Sequence, residues 1–485
     1  MNSLLNTDGY KVDHRRQYPA NTSLVYSNWT PRKSRIKGID EVVFFGLQYF
    51  IKKYLQEDFT LNFFSKTKDE VVKSYGRRIN SFLGENQVGV QHIEALHDLG
   101  YLPIKIKALP EGSRVPIRVP MFTVYNTLPE FFWLTNYFET LLSTTVWLPC
   151  TSATLALEYR KILDEYANET SSLESFVDWQ AHDFSMRGMA GLEACCMSSA
   201  GHLLSFKGTD TIPAIDFLEA YYNADADKEI IGGSVAATEH SVMCMGTKAG
   251  EFETFKRLIT EVYSTGIVSI VSDSWDLWKV LTVYLPKLKN EVLNREGKVV
   301  IRPDSGDPVK IICGNFEADN EFERKGVIEL LWELFGGKVN EKGDKELDEH
   351  IGAIYGDSIT LDRAREICAR LKSKGFASTN IVLGIGSYTY QYNTRDTFGF
   401  AMKATYGEVN GEGRAIFKDP ITDDGTKKSA RGLLKVERVN NKFTLIDEVS
   451  WEDEEKGELE IVFENGKLIR EHSLIEIRKK LTHKL

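Results

Sequence analysis

The sequence predicts an α/β protein: an irregular β/α barrel, with an α+β domain built from the N- and C-terminal segments. Three observations predict it. From about residue 175 to 390, short apolar strands alternate with helix-length amphipathic segments, the pattern of parallel βαβ units. The apolar runs turn polar at markers 184, 210, 240, 273, 304, 357 and 387, and the spacings of 26, 30, 33, 31, 53 and 30 residues are close to one βα unit each. The long spacing places an insertion at about 307 to 350. The flanks lack this rhythm, and the last 90 residues read as antiparallel β. An open doubly wound sheet is the competing architecture, but only a closed barrel brings seven strand ends to one face. The division expected is 1–150, 151–394 for the barrel, and 395–485 packing with the first segment.

Within this frame each element has a local reason. Helices are expected at Gly46 to Leu55, Asp69 to Leu83 and from Glu130, and strands near Ile104 and Met121. Amphipathic spacing gives helices at Glu251 to Tyr263 and Leu361 to Lys374, the latter with Thr360 as N-cap. Asn440-Asn441 and Asn465-Gly466 mark hairpins, since both dipeptides tolerate the positive φ of a type I′ turn.

Composition bounds the function. The 485 residues are 42% hydrophobic with 37 glycines, enough for a large core without disulfides. The net charge of −10 argues against a general nucleic-acid surface, which needs clustered Lys and Arg. Arg32, Lys33, Arg35 and Lys37 form the one basic run near the N-terminus, read as a solvated loop or as an anchor for a small anion. Six cysteines with no CxxC spacing suggest a reducing cytoplasm. Residues 1–8 carry no apolar signal core, and Thr140 to Leu157, with seven Ser/Thr and a proline, is not expected to span a bilayer, so no membrane partner is expected.

The chemistry is expected at the strand ends. Asp183, Asp210, Asp273 and Asp304, His182 and His240, and Arg187 and Arg302 all fall there. Any one alone is more often structural, because Asp caps helices and His satisfies core hydrogen bonds. Seven strands converging on one face would make them a single site. Gly356-Asp357-Ser358 and Gly384-Ile385-Gly386-Ser387 each open a loop before a helix, where backbone N–H groups hold phosphate. Arg302-Pro303-Asp304 sets a bidentate cation beside an acceptor, suited to a sugar phosphate.

Nine stretches carry a resemblance. They are Thr7-Asp8-Gly9-Tyr10-Lys11-Val12, Phe45-Gly46-Leu47-Gln48-Tyr49, His182-Asp183-Phe184 with Arg187-Gly188, Phe206 to Thr211, Ser234-Val235 with Glu239-His240-Ser241, Val271 to Ser274, Ile301 to Gly306, Thr394-Arg395-Asp396 and Phe417 to Pro420. In order and over nearly the whole chain, they are similar to the nicotinamide phosphoribosyltransferase family, of type II phosphoribosyltransferase fold. Ser185-Met186 departs from the family's usual Gly-Tyr, and Gly384 to Ser387 is less glycine-rich than usual.

The resemblance implies a homodimer with active sites at the subunit interface, and transfer from phosphoribosyl pyrophosphate to nicotinamide with magnesium and ATP. It implies that Phe184 and a partner subunit's Tyr10 sandwich the pyridine, with Asp210 on the carboxamide and Arg187 near ring and phosphate. Ser234, Val235 and Ser269 would complete that pocket. His240 matches the histidine that ATP phosphorylates, with Glu239 and Asp273 beside it. Arg302, Asp304, Gly356, Asp357, Gly386 and Ser387 would hold ribose and phosphates, and Arg32, Arg395, Lys403, Lys418 and Lys427 match partner-subunit groups facing them. The alternatives are a nicotinate phosphoribosyltransferase of the same fold, a metal-dependent barrel hydrolase, and a non-catalytic nucleotide-binding protein. Asp210 tells against the first; the second would need two histidines on the first strand, where only His182 stands.

Overall fold

The computed structural model describes residues 2–418 and 430–482. Two compact units divide the chain: Met1–Thr154 with Phe217–Ala224 and Asn393–Lys484, and Leu155–Asp216 with Asp225–Tyr392. The segment Phe217–Ala224, expected in the barrel, belongs to the terminal unit.

Seven parallel strands form the sheet of the second unit. Its spatial order is Gly208–Thr209, Ala181–Asp183, Ile381–Ile385, Ile351–Tyr355, Glu296–Arg302, Thr265–Val271 and Ala236–Ala237. The ends of this series meet, because Gly208 pairs with Gly233 just before the last strand. Gly233 donates to the Lys207 carbonyl at 2.8 Å and accepts from the Thr209 N–H at 3.0 Å. The sheet is therefore a barrel, and every marker residue read from the sequence lies at or just past a strand's carboxyl end. Gly384 explains one small residue in a strand: a Cβ there would lie 2.6 Å from the Tyr355 carbonyl oxygen and 2.7 Å from that of Gly356.

The helices follow their local signals. Thr360 caps Leu361–Ser373 by accepting from the Arg363 N–H, and Thr67 with Glu70 forms a capping box on Lys68–Leu83. The insertion holds a two-stranded ribbon, Gly337–Val339 with Lys345–Leu347. Its buried Glu346 accepts from the Ser172 N–H at 2.6 Å, the Ser172 hydroxyl at 2.7 Å and the Asn340 amide at 2.9 Å, with Lys338 at 3.2 Å.

Burial opposes ionisation of Glu346, but these donors win and hold its carboxyl down at about 2. A depressed carboxyl stabilises the fold above its unfolded value near 4.5 and loses that contribution as pH falls toward 2. Glu346→Gln is expected to cost about 2–3 kcal/mol at neutral pH. The difference from wild type should close below pH 4.5 in denaturant titrations; a pH-independent difference would refute the linkage.

The terminal unit is built on a seven-stranded sheet made of both flanks. Thr22–Thr30 lies between Ala401–Val409 and Phe122–Asn126, and Ile104–Ala108 pairs with Glu460–Glu464. Trp29, fully buried, stacks on Phe122 at 6.1 Å and on Phe400 at 5.7 Å, so both chain ends share one core. Both hairpins form as expected: Asn440, Asn441, Asn465 and Gly466 all have positive φ.

One expectation is corrected. The helix Glu139–Thr170 is long and apolar enough, by length and composition, to cross a bilayer, although the sequence reading excluded any such stretch. Its Ser and Thr do not break it, because Thr145, Thr151 and Thr154 each donate to the carbonyl four residues earlier. In the structure 83% of its apolar window is buried inside the protein. Pro149 within it packs against Gly46, whose φ of +107° and 2.5 Å Cβ approach to Pro149 Cγ admit only glycine.

Candidate active site

Three carboxylates at the barrel's strand ends do different work. Asp183 is fully buried and spends its oxygens on neighbours: Ser185 N–H at 3.0 Å and hydroxyl at 2.6 Å on Oδ1, Thr209 at 3.0 Å and Thr211 at 3.1 Å on Oδ2. It ties two strand-end loops together and has no oxygen left for a ligand. The Ser185 departure noted in the sequence is thus a structural donor.

Asp210 is the opposite case. Its side chain is 44% exposed, and Oδ1 accepts from His182 Nε2 at 2.8 Å and from the Ser234 hydroxyl at 2.6 Å. Burial alone would raise its pKa; the bonds from His182 and Ser234, with Arg302 nearby, hold it below the usual carboxylate range. Phe184 leans on His182, with ring centroids 4.5 Å apart. An aromatic face and an ionised carboxylate therefore stand side by side. Val235 is exposed, and Ser269 is buried with its hydroxyl unpaired.

Asp273 organises the next loop. Its Oδ2 accepts from the backbone N–H groups of Asp304 and Ser305, both at 2.8 Å, and from the Ser305 hydroxyl. Its Oδ1 is buried, receives no hydrogen bond, and faces His240 Nε2 at 3.5 Å. His240 opens a short helix for which Glu239 is the N-cap, and the Ser241 hydroxyl binds Glu239.

Arg302 donates from Nη2 to the Thr238 carbonyl at 2.7 Å, while its Nε is buried and unpaired. Desolvation lowers its pKa, against the pull of Asp304, Asp210 and Asp273. The late loops crowd together: a Cβ on Gly356 would meet Asp304 Oδ1 at 2.1 Å, one on Gly386 Asp357 Oδ1 at 2.5 Å, and one on Gly188 the Ser387 hydroxyl at 2.0 Å. The last approach seats the exposed Arg187 turn against Ser387.

A second cluster lies within the terminal unit. Tyr10 is 62% exposed and, with Asp8, Glu139, Thr140, Trp147 and Arg395, lines a cleft of about 260 Å³. Arg32 is held by the Gly399 carbonyl at 3.0 Å. Desolvation and the nearby Arg32, Arg395 and Lys11 push the Lys403 ammonium below its usual range, against the pull of Glu139. Lys11 is itself paired with Glu139. Arg32, Arg395, Lys403 and Lys11 thus gather positive charge in one place, which suits an anionic ligand.

Comparison with known proteins gives the family. The family model described as the nicotinate phosphoribosyltransferase family matches residues 179–466, and that of the nicotinamide phosphoribosyltransferase N-terminal domain matches residues 2–106. A curated nicotinamide phosphoribosyltransferase of Acinetobacter baylyi is 56% identical over 497 aligned positions, covering 100% of this chain and 98% of the relative. The chain belongs to the nicotinamide phosphoribosyltransferase family. A Mycoplasma pneumoniae relative of the same name is 37% identical over 88% of this chain and 94% of its own. Among solved structures, a nicotinate-nucleotide pyrophosphorylase of Pyrococcus furiosus aligns with TM-score 0.59 at 14% identity, over 99% of this chain and 95% of that one. Human nicotinic acid phosphoribosyltransferase aligns with TM-score 0.51 at 16% identity, over 98% and 93%. These two show a shared fold.

For this phosphoribosyltransferase, the barrel brings Phe184, Asp210, Ser234, Asp273, Arg302 and Asp304 to one face of a single unit, with Glu239 and His240 on the loop beside them. Tyr10, Arg32, Arg395 and Lys403 are assembled in the other unit, and Lys418 is exposed there. Lys427 lies outside the described residues. Sequence reasoning missed Thr238, Ser305 and the Lys11 to Glu139 pair. Ser305 sits inside a quoted motif, but Thr238 carries no signal, because a threonine at a strand end is ordinary. Among the described residues no group of three or more His, Cys, Asp or Glu is placed to hold a metal. The unpaired Asp273 Oδ1 suits a magnesium ion that takes most of its ligands from phosphate oxygens.

Proposed function

We propose that the chain transfers the phosphoribosyl group of phosphoribosyl pyrophosphate to nicotinamide in NAD salvage, releasing pyrophosphate, with ATP hydrolysis coupled through His240. The observation that carries this reading is Asp210: an ionised acceptor fixed by His182 and Ser234 beside the Phe184 ring. A flat ring stacks on Phe184, and a carboxylate there accepts from a carboxamide NH₂ and repels an acid. The family name of relatives up to 56% identical supports the same substrate.

In the transfer, the pyridine nitrogen attacks the anomeric carbon as the bond to pyrophosphate breaks. No general base is required, since the ring nitrogen's lone pair is free. Arg302 neutralises charge building on the leaving group, and Asp304 steadies the oxocarbenium-like sugar. The loops at Gly356-Asp357 and Gly386-Ser387 take the sugar phosphate, their glycines leaving room for close backbone approach. Asp273 would help hold a magnesium ion, which would supply further neutralisation of the leaving group's charge.

For the coupling, His240 Nε2 faces Asp273 Oδ1 at 3.5 Å, which leaves Nδ1 as the nucleophile toward the γ-phosphorus of ATP. Nδ1 bonds to phosphorus as ADP leaves, and water later releases phosphate. Tyr10, Arg32, Arg395, Lys403, Lys418 and Lys427 act from a partner subunit in a homodimer working in the cytoplasm.

The test is product formation from phosphoribosyl pyrophosphate and magnesium with nicotinamide or nicotinate, each with and without ATP. Nicotinamide mononucleotide formed selectively and raised by ATP is expected. Equal use of nicotinate would overturn the specificity, and full activity of a monomer in light scattering would overturn the dimer.

A further inference from the structure

Thr238 stands where the two-residue strand Ala236–Ala237 turns toward the His240 helix, and its N–H, carbonyl and hydroxyl oxygen are all engaged. The strand Ala236–Ala237 pairs with Thr265–Val271 for two residues only, Ala236 with Val268 and Ala237 with Ser269. Thr238 extends this pairing by donating its N–H to the Ser269 carbonyl at 2.9 Å. The chain then swings away through Glu239 into the helix that His240 opens. The next donor on the neighbouring strand, the Val271 N–H, would lose its backbone partner at that swing. The Thr238 hydroxyl takes it instead, accepting at 2.9 Å. On the other side the Thr238 carbonyl accepts from Arg302 Nη2 at 2.7 Å. Thr238 itself is 5% exposed, so these bonds are shielded from water and have no solvent substitute.

We propose that Thr238 is a positioning residue for the phosphoribosyl donor, holding Arg302 toward the leaving pyrophosphate. One residue fixes three things by three separate atoms: the end of its own strand, the end of the Thr265–Val271 strand two residues before Asp273, and one nitrogen of Arg302. The last of these matters most. Arg302 has a buried, unpaired Nε, and its charged neighbours Asp304, Asp210 and Asp273 all pull on it. The guanidinium would collapse onto one of those carboxylates if its Nη2 were not held away by a neutral carbonyl. The hydroxyl controls that carbonyl indirectly, because its bond to the Val271 N–H holds Thr238, and with it the Thr238 to Glu239 peptide that carries the carbonyl, against the neighbouring strand. Losing it lets the Thr238 to Glu239 peptide rotate to satisfy other partners, and the carbonyl leaves Arg302.

The proposal rests on the reading of Arg302 as a phosphoribosyl pyrophosphate group. Thr238→Val keeps the shape and removes the oxygen, whereas Thr238→Ser keeps the oxygen. Thr238→Val is expected to raise KM for phosphoribosyl pyrophosphate about tenfold or more, with KM for nicotinamide within about twofold of wild type. Thr238→Ser should restore both constants. A role confined to stability would lower the active fraction without moving one KM alone.

Arg302→Ala separates the two layers. If it leaves KM for phosphoribosyl pyrophosphate unchanged, the substrate reading of Arg302 fails and the proposal falls with it. If it raises that KM while folded Thr238→Val does not, the proposal alone is overturned. Should Thr238→Val not fold, Thr238→Ser decides: a donor KM within twofold of wild type supports the hydroxyl, and a tenfold rise shows that the methyl packing was what mattered.

Discussion

Asp210→Asn collapses most of the preference for nicotinamide over nicotinate. At about 4 Å, two carboxylates repel by about 4 kcal/mol in an effective dielectric of about 20. Asp210 is 44% exposed, so solvent screening removes roughly half of that, leaving about 2 kcal/mol, or about thirtyfold in selectivity. The asparagine keeps an oxygen for His182 and Ser234, so the pocket wall stays in place while the charge disappears. Its new amide N–H groups also face the carboxamide's own donors, which weakens nicotinamide further. The measurement is the ratio of kcat/KM for the two acceptors, at a pH where the native carboxyl is ionised. The low pKa of Asp210 makes that any pH in the neutral range. An unchanged ratio would remove Asp210 from the specificity argument and return it to the role of a loop anchor.

His240→Ala removes ATP stimulation and leaves basal transfer. The histidine side chain is 49% exposed and its ring approaches Asp273 at 3.5 Å without a hydrogen bond, so its loss breaks no buried hydrogen bond there. Basal kcat without ATP is expected within about threefold of wild type, while the ratio of rates with and without ATP falls to about one. Incubation with ATP labelled at the γ-phosphate gives the complementary reading: acid-labile label on the wild type and none on the variant. Full ATP stimulation in His240→Ala would exclude a phosphohistidine at this position. A large fall in the basal rate would place His240 in the transfer step itself.

Much of the fold is legible in the chain because local rules and tertiary structure agree. The seven strand ends were located by the change from apolar to polar, since a parallel strand buried on both faces must be apolar until it reaches the open end of the barrel. Thr360 and the Asn-containing turns were equally visible, for their chemistry acts over three or four residues. The sequence underrates the length and apolarity of Glu139–Thr170, because Ser and Thr inside a helix return their hydroxyls to its own carbonyls and lose their polar cost; the helix itself is mostly buried inside the protein.

The site divides along the same line. Residue types at the strand ends mark Asp183, Asp210, Asp273 and Asp304 as equal candidates, and resemblance gives most of them roles. Only the structure separates them: four donors exhaust Asp183, while Asp273 is left with one bare oxygen. Thr238 was invisible for the same reason, since its importance lies in which three atoms face it and not in its type. By itself the sequence determined the barrel, the face on which chemistry gathers and the charge types available there, because those follow from periodicity and composition. Tertiary structure alone decided which carboxylate is spent and which is open, because hydrogen-bond saturation depends on neighbours about thirty residues away along the chain, brought together only when the strands pair.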